Sequence, residues 1–409
     1  MSMNAKPILA AGLDVGSSRT RCVIALLEGD RFRFLGYGYA ASAGWAKGRI
    51  TDPAAASEAI HAAAEEAEKM AQASIETVVA GIGGLAVRGA NVHGKWDLGR
   101  PREITQKDIN RSMERAMRLQ LAEDRMILQI LPQDFAVDDH PGYHDPRGIV
   151  GSVLEASAHL LTASVAEHTN VVTAINKAHL SVDETVYEPI AACYASVLPE
   201  ERREGVALID IGLHSTELIC YYGESAQLAV SIRLCGDHFS RDLAHAFRIP
   251  VEAGSVVKEQ FGGAISAGTA PNSVVELPST EVHDPNDREL RVTREVPRQV
   301  VNKILESRAI ELFDMVRTEL AKAGMQRAIS TGLVITGGGA LLPGLCDVAE
   351  RVLECPVRLG LAQGILDWPE EMNDPAWATV AGLSMYAARL RSKVDVEKQS
   401  VGLLGRILR

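Results

Sequence analysis

The sequence predicts an α/β protein with two similar lobes that face each other across a cleft. A strand–turn–strand pattern carrying an aspartate occurs twice, about half a chain apart, and a glycine-rich turn follows the second copy. With 409 residues, 46% of them hydrophobic, the chain is long enough to bury more than one core. A helix-rich stretch follows each copy, as in other α/β architectures.

Composition and charge exclude several classes of protein. The 53 acidic side chains outnumber the 42 basic ones, giving a net charge of −11 and arguing against a nucleic-acid partner. The six cysteines form no Cys-x-x-Cys pair and have apolar neighbours, so we expect reduced core thiols of a cytoplasmic protein. No apolar stretch of signal-peptide length precedes Asp14, and no run approaches the ~18 residues of a membrane-spanning helix.

The repeat runs from an apolar strand through Asp-x-Gly and small hydroxyl residues into a second strand, a glycine turn and a third strand. The first copy occupies residues 8–39 and the second copy residues 206–234. A single Asp-x-Gly turn is ordinary turn chemistry, whereas two in matching contexts predict a shared site. The turn residues in question are Asp14, Gly16, Ser17, Ser18, Asp210, Gly212, Ser215 and Thr216.

The two turns have the chemistry of a phosphate site. Glycine at 16 and 212 lets the backbone approach a phosphate closely, and nearby N–H groups and hydroxyls can donate to its oxygens. Asp14 and Asp210 would repel a bare polyphosphate, so the pattern also predicts Mg²⁺ between them, held through water. A third turn, at 337–339, joins a buried strand to a helix at 345–353 and suits an adenosine pocket.

Two other phosphate motifs can be checked and rejected. The chain has no G-x-x-x-x-G-K-S/T phosphate loop. Residues 81–86 match a variant of the dinucleotide fingerprint after a strand at 77–80, but residues 87–94 lack helical periodicity. The strand–turn–helix context that the fingerprint requires is therefore missing.

These motifs resemble those of the actin, Hsp70 and sugar-kinase superfamily, and within it the FtsA family of bacterial cell division proteins. The resemblance covers nearly the whole chain. Residues 12–18 and 210–216 are similar to the two phosphate loops, and 335–340 to the adenosine motif. The segments that point to FtsA, similar to its subdomain 1C, are 104–109, 127–135, 145–156 and His159; 252–262 and 306–313 also match the family.

The resemblance implies an actin-like fold, with duplicated ribonuclease-H-like domains around a nucleotide cleft and an FtsA-type 1C subdomain. A polar linker at 391–399 would lead to an amphipathic helix at 400–409. The expected divisions are domain 1A at 1–83, 161–200 and 375–390; subdomain 1C at 84–160; domain 2A at 201–234 and 297–374; and domain 2B at 235–296. Within them we expect helices at 105–121, with Thr105 as N-cap, and at 297–323, and loops at 266–287 around a strand at 274–277.

ATP and Mg²⁺ are the ligands that the resemblance implies. It places Asp14 and Asp210 near the metal. It lines the phosphates with Gly16, Ser17, Ser18, Gly212, Ser215 and Thr216. The resemblance also implies five further residues of the cofactor site: Gly236, Lys258, Gly337, Gly338 and Gly339.

Three side chains keep an alternative interpretation. Glu188, in the Glu-Pro of the connecting helix, either orients an attacking water or is structural. Lys258 lies either by the ribose or base or on a solvated helix face. His214 either contacts phosphate or lies in a surface turn. The family's second loop is richer in glycine and ends in Thr-Thr-Asp; Leu213, His214 and Glu217 stand here instead, so we expect weak or absent ATP hydrolysis.

The function implied is that of an ATP-binding protein that polymerises on the inner face of the cytoplasmic membrane at the division site. It would anchor the FtsZ ring and recruit later division proteins through 1C. A superfamily kinase is an alternative, but it needs a further catalytic aspartate for which no clear motif exists. A second alternative is a PilM-type scaffold of pilus assembly. Residues 132–135 and 145–146, together with the tail, argue against it.

The tail has the pattern of a membrane-docking helix. Its apolar residues fall within an arc of roughly 160° on a helix, and it contains no acidic residue. Basic side chains favour an anionic lipid surface by about 1 kcal/mol each. The alternative is a terminal helix packed on its own domain. The residues predicted to meet the membrane are Val401, Leu403, Leu404, Arg406, Ile407, Leu408 and Arg409.

Overall fold

The computed structural model describes residues 7–283 and 289–407, and the side chains of 7–277 and 294–393. In chain order its strands are β1 (Ile8–Val15), β2 (Arg19–Glu28), β3 (Arg31–Ala41), β4 (Trp45–Ala46), β5 (Arg49–Ile50), β6 (Thr77–Ile82), β7 (Arg88–Glu103), β8 (Arg125–Val137), β9 (His140–Tyr143), β10 (Val150–Ser164), β11 (Ser181–Tyr187), β12 (Val206–Ile211), β13 (Thr216–Tyr222), β14 (Ser225–Ile232), β15 (Val274–His283), β16 (Glu289–Pro297), β17 (Leu333–Thr336), β18 (Val357–Leu359) and β19 (Ile365–Leu366). Its α-helices are α1 (Pro53–Ala71), α2 (Gln106–Ala116), α3 (Val165–Lys177), α4 (Glu188–Ser196), α5 (Pro199–Glu204), α6 (Gly236–Phe247), α7 (Val251–Phe261), α8 (Arg298–Lys322), α9 (Leu345–Leu353) and α10 (Ala378–Ile407).

The two lobes contain sheets of the same topology. The sheet of lobe 1 has the order β11-β6-β1-β2-β3-β19, and the sheet of lobe 2 has the order β14-β13-β12-β17-β18. In each lobe three consecutive strands form an antiparallel meander, and the first of them also pairs in parallel with a later strand. The two-lobe α/β fold predicted from the repeat is thereby confirmed.

Apolar side chains are buried within each lobe and between the lobes. One cluster packs α1 on the sheet of lobe 1, and another packs α8 and α9 on the sheet of lobe 2. A third cluster joins both sheets through α4 and α10. Burial in this third cluster is what holds the cleft walls together. The six cysteines are free, and four of them are buried, as expected of core thiols.

Subdomain 1C is a separate sheet with the order β7-β10-β8-β9, with α2 packed on it. Thr105 is the N-cap of α2, and Asp108 completes the capping box, as predicted. The helix ends at Ala116 rather than at 121. Its buried residues recur every four positions up to Ala116, and the next in that series, Gln120, is polar and exposed. The apolar residues beyond Ala116 fall off this buried face, as Leu119 shows by its 48% exposure, so they do not extend the helix.

Lobe 2 differs from expectation in one strand. Helix α8 matches the predicted helix, with Val301, Phe313 and Leu320 buried. The loop expected at 266–273 and the start of the strand at Val274 are confirmed, but the loop expected directly after 277 is wrong, because β15 extends to His283 and pairs with β16. The register shifts between Leu277 and Thr280, which accommodates a proline that cannot donate to the ladder.

Helix α10 runs from the cleft towards the tail. Cβ atoms on Gly12 of β1 or Gly382 of α10 would collide with backbone of α10 and α4 respectively, so these elements pack backbone to backbone. The helix continues through 391–399, expected as a linker, because no glycine or proline interrupts that stretch. Side chains from 394 onwards, and with them the predicted membrane contacts, lie outside those described. Within the described residues, no helix is long and apolar enough to cross a membrane.

Candidate nucleotide and metal site

Three buried carboxylates and one partly buried carboxylate lie where the two meanders face each other. Asp14 and Asp210 lie near the ends of β1 and β12 and are each 8% exposed. Glu217, 2% exposed, pairs with Asp210 across β12 and β13. Glu188 is the first residue of α4 and its side chain lies against Gly83. We call these four residues the acidic cluster.

Burial raises the pKa of every member of the acidic cluster, and repulsion from another member adds to this rise for Asp14, Glu188 and Glu217. Burial raises the pKa of Asp14 to about 6, although the guanidinium of Arg21 lowers it. Burial and then the charge of Asp210 raise the pKa of Glu217 to about 7. Burial raises the pKa of Asp210, and burial with the charge of Asp14 raises the pKa of Glu188 well above its usual range. A cation among these groups would relieve the repulsion, so the cluster has the chemistry of a cation site.

The arrangement fits a metal held through water. Among the described residues, no three His, Cys, Asp or Glu side chains converge closely enough to hold a metal directly. Each aspartate also has a protein partner: Arg21 Nη1 lies 3.6 Å from Asp14 Oδ2, and Thr379 Oγ1 donates to Asp210 Oδ2 at 2.6 Å. Mg²⁺ usually keeps several waters and takes one or two carboxylates together with phosphate oxygens, which suits this pair.

Arg21 and Thr379 contact the aspartates but are not among the site residues that the sequence predicted. Arg21 pairs with Asp14 across β1 and β2, as Glu217 pairs with Asp210. A tight turn between antiparallel strands brings together residues seven positions apart, so the spacing could have identified Arg21. Thr379 is in the first turn of α10, and no local signal relates it to a strand so distant in sequence.

The phosphate-loop residues differ in their burial and in their contacts. A Cβ on Gly16 would lie 2.8 Å from the carbonyl of Arg19, so this turn requires glycine. Gly212 donates its N–H to the carbonyl of Ser215 at 2.9 Å and closes the second turn. Ser17 and Ser215 line the same pocket, which has about 670 Å³ of empty space continuous with solvent. Ser18 is exposed, whereas Thr216 is fully buried and its hydroxyl has no partner.

The three glycines at 337–339 have unequal roles. Gly337 has φ +84°, and a Cβ there would collide with the carboxylate of Asp210. A Cβ on Gly339 would collide with the side chain of Ile211, so both glycines serve close packing on β12. A Cβ on Gly338 would meet open space, which makes this glycine the one exposed to a ligand.

Gly236, at the start of α6, and Lys258, in α7, lie beside the second loop. The amide of Gly236 donates to the carbonyl of Gly212 at 2.9 Å, and that of Asp237 to Leu213 at 2.9 Å, fixing the start of α6 on the loop. Lys258 Nζ in turn donates to the carbonyl of Gly236 at 3.2 Å. Burial lowers the pKa of this lysine, so it is not a solvated helix lysine.

His214 packs against lobe 1. A Cβ on Gly48, between β4 and β5, would lie 3.0 Å from the Cβ of His214. The Nδ1 atom of His214 is buried without a partner, and burial lowers the pKa of the ring. His214 and Trp45 border the same pocket as Ser17 and Glu188. The side chain is therefore a half-buried contact between the lobes rather than a surface-turn histidine.

Two family models match the chain. "SHS2 domain inserted in FTSA" matches residues 84–162, where the sequence analysis expected subdomain 1C at 84–160. "Cell division protein FtsA" matches residues 207–382.

Solved structures with a similar fold include a PilM-PilN type IV pilus biogenesis complex, with a TM-score of 0.68 and 18% identity, covering 93% of this chain and 99% of the other. MreB5 of Spiroplasma citri bound to ADP has a TM-score of 0.57 and 13% identity, covering 96% and 99%. At these identities the likeness concerns the fold alone, and it agrees with an actin-like architecture.

Curated relatives give the family. A cell division protein FtsA from Borreliella burgdorferi is 33% identical over 380 residues, covering 92% of this chain and 90% of the relative. One from Pseudomonas aeruginosa is 29% identical over 385 residues, covering 94% and 90%. With its two family-model matches and these relatives along nearly its whole length, the chain belongs to the FtsA family of cell division proteins.

Proposed function

We propose that the protein binds ATP with Mg²⁺ and polymerises on the inner face of the cytoplasmic membrane, where it anchors the FtsZ ring and recruits later division proteins. The observation that carries the nucleotide part is the acidic cluster, in which two equivalent aspartates from two equivalent hairpins meet between phosphate-type turns. Family membership carries the division part.

Each part of the ligand has a set of residues suited to it. The turns at Gly16 and Gly212 receive the phosphates, with Ser17 and Ser215 as donors on the pocket wall. Bound Mg²⁺ would neutralise phosphate charge next to the aspartates. The open space beside Gly338 leaves room for the nucleoside.

Hydrolysis is expected to be slow for two reasons. Glu188 is the carboxylate available to orient a water, but burial and the charge of Asp14 raise its pKa, which favours the protonated form that cannot accept a proton from that water. Leu213 and His214 fill the second turn, and His214 is held against Gly48. Nucleotide would therefore act mainly as a structural ligand that stabilises the closed cleft and the self-associating form.

The membrane part rests on the tail. Helix α10 continues to Ile407, and the sequence of residues 399–409 combines five apolar side chains with Arg406 and Arg409. Partial burial of these side chains adds a few kcal/mol, since full burial gives about 1.5–3 each. A monomer should then bind lipid weakly and a filament tightly, because many tails act together.

Electron microscopy on anionic lipid monolayers tests the whole proposal. We expect filaments with ATP and Mg²⁺ on lipid, and none after deletion of residues 401–409 or in Leu404→Glu. Thermal melts with ATP should show that both tail variants still bind nucleotide. Unchanged pelleting of the truncated protein with anionic liposomes would refute the membrane role, and a melt of the wild type unmoved by millimolar ATP and Mg²⁺ would refute the nucleotide site.

A further inference from the structure

Subdomain 1C begins at a glycine that lobe 2 holds on both sides. The amide of Gly84 donates to Glu217 Oε1 at 2.7 Å, and its carbonyl accepts from Ser231 Oγ at 2.9 Å. Gly84 has φ +94°, and a Cβ there would meet nothing within 4 Å. This residue is thus free of side-chain packing and fixed to lobe 2 by two hydrogen bonds, while its carbonyl also accepts from the amide of Val87 at 3.2 Å; these are the properties of a joint.

Beyond the joint, the strands that enter and leave 1C are tied together. Arg125 Nη1 donates to the carbonyl of Ala86 at 2.5 Å, and Arg125 Nη2 to that of Thr162 at 2.8 Å. Strands β7 and β10 then pair from Arg88 and Thr162 onwards. Because its base is closed, the subdomain is held together where it leaves lobe 1, and it meets lobe 2 in two places: at Gly84, and at Gln133, whose side chain donates to the carbonyl of Ala226 at 2.8 Å.

Glu217 connects this joint to the acidic cluster. It directly follows Ser215 and Thr216, and it pairs with Asp210. Its 2% exposure leaves it no room to move independently of the second turn. Gly83 is fitted just as closely, because a Cβ there would collide with the carboxylate of Glu188. Two carboxylates of the cleft therefore bracket the two glycines at the entrance to 1C.

We propose that Glu217 and Ser231 form an allosteric joint that couples occupancy of the cleft to the position of residues 84–162. When a phosphate ligand moves the second turn, Glu217 moves with β13 and carries the Gly84 amide with it. Ser231, on the neighbouring strand β14, pairs with Glu217 and moves with it, so its hydrogen bond shifts the Gly84 carbonyl in the same direction. The subdomain thereby presents a different surface to partners in the two states, and by reciprocity a partner on 1C alters nucleotide affinity. This inference rests on the proposed nucleotide site.

Hydrogen–deuterium exchange of the full-length protein, with and without ATP and Mg²⁺, tests the coupling. In the wild type we expect nucleotide to slow exchange at least threefold in peptides covering 84–103. Ser231→Ala removes one hydrogen bond outside the cleft, so it should keep its nucleotide-dependent melting shift while this slowing falls by half or more. Ser225→Ala is the matched control. It removes a bond between lobe 2 and 1C away from the joint, from Ser225 Oγ to the carbonyl of Gln133 at 3.1 Å, and should respond like the wild type.

Glu217→Ala, measured at saturating ATP, provides the second variant, because it removes the acceptor of the Gly84 amide, and we expect it to lose the response as Ser231→Ala does. A wild-type response in both variants overturns the coupling, as does an equal loss in Ser225→Ala. Absence of any nucleotide-dependent melting shift in the wild type would instead overturn the proposed function, so the two failures are distinguishable.

Discussion

The two hairpins that form the cleft share a topology but differ in the charge of the residue that pairs with each aspartate. Counting from each aspartate, the seventh residue is Arg21 in lobe 1 and Glu217 in lobe 2, and each pairs with its aspartate across the hairpin. Lobe 1 thus contains its own counter-charge. Lobe 2 contains a second carboxylate in its place, and must obtain compensation elsewhere.

That compensation comes from lobe 1. Asp210 accepts a hydrogen bond from Thr379 of α10, and Glu217 accepts one from Gly84 at the start of 1C. The two lobes are therefore unequal partners: the aspartate of lobe 1 has a counter-charge on its own hairpin, whereas the carboxylates of lobe 2 take hydrogen bonds from across the cleft. Duplication has preserved the backbone and divided the electrostatic roles.

The largest expected effect compares Asp14→Ala with Asp210→Ala. Both should abolish the stabilisation by ATP and Mg²⁺, which is worth about 2.7 kcal/mol at a ligand concentration of 100 times Kd. Without ligand they should differ. Asp14→Ala leaves Arg21 largely buried and unpaired, at a cost of roughly 3 kcal/mol, while Asp210→Ala relieves repulsion in the acidic cluster. We expect ligand-free Asp14→Ala to melt at the lower temperature in calorimetry; equal melting temperatures would contradict the asymmetry.

The acidic cluster should also determine how the stability of the protein depends on pH. A carboxyl group whose folded pKa is raised binds its proton more tightly in the native state, so stability falls as pH rises from the unfolded pKa near 4 through the folded pKa. For Asp14 and Glu217 that window runs to about 6 and 7. We expect the ligand-free protein to lose on the order of 2–3 kcal/mol between pH 4.5 and 7.5, by denaturant unfolding.

Glu217→Gln is the matched control for this dependence, because it removes one titrating group and keeps the shape. Its loss of stability over the same range should be visibly smaller, and ATP with Mg²⁺ should flatten the wild-type profile. A wild-type stability that rises steadily to pH 7.5 would be incompatible with raised pKa values in the cluster.

The sequence predicted the parts of the site that repeat, and missed those that do not. The Asp-x-Gly turns, α9 and the N-cap at Thr105 depend on local pattern, so their positions follow from the chain itself. Thr379 and the joint at Gly84 depend on contacts between segments more than 100 residues apart. Likewise β15 is stabilised by its partner strand, which outweighs the turn-forming residues within it.

The hydroxyl residues of the two loops do not occupy equivalent positions. At equal distance from the aspartates, Ser17 and Ser18 correspond to Leu213 and His214, while Thr216 corresponds to Thr20. The small hydroxyl residues after each glycine therefore resemble each other in composition but not in position. Only the strand register, which pairs Val15 with Thr20 and Ile211 with Thr216, makes the correspondence plain.

A moderate effect is expected from making the second turn resemble the first. The double substitution Leu213→Ser with His214→Ser removes the bulk at the turn and the contact with Gly48. Phosphate release should rise by about tenfold, equivalent to ~1.4 kcal/mol in the barrier, from a slow wild-type rate. His214→Ser alone serves as the control for loss of the interlobe contact. Several turnovers per second by the unmodified protein would show that the bulky turn does not limit hydrolysis.

The smallest expected effect distinguishes the two buried threonines. Thr20 and Thr216 occupy equivalent positions, but the hydroxyl of Thr20 lies 3.1 Å from Ser42 Oγ, whereas that of Thr216 is buried without a partner. Thr20→Val removes a hydrogen bond and should cost about 1 kcal/mol. Thr216→Val removes only an unsatisfied polar group, so it should be neutral or stabilise by up to ~1 kcal/mol.

Urea unfolding of the two valine variants measures this difference, and ATP titration separates it from ligand binding. Because Thr216 is fully buried, its substitution should leave nucleotide affinity within about twofold, or ~0.4 kcal/mol. If Thr216→Val instead weakens ATP binding tenfold while Thr20→Val does not, the hydroxyl turns towards the phosphates on binding. The second hairpin would then rearrange around its ligand, whereas the first, fixed by Arg21 and Ser42, is already in place.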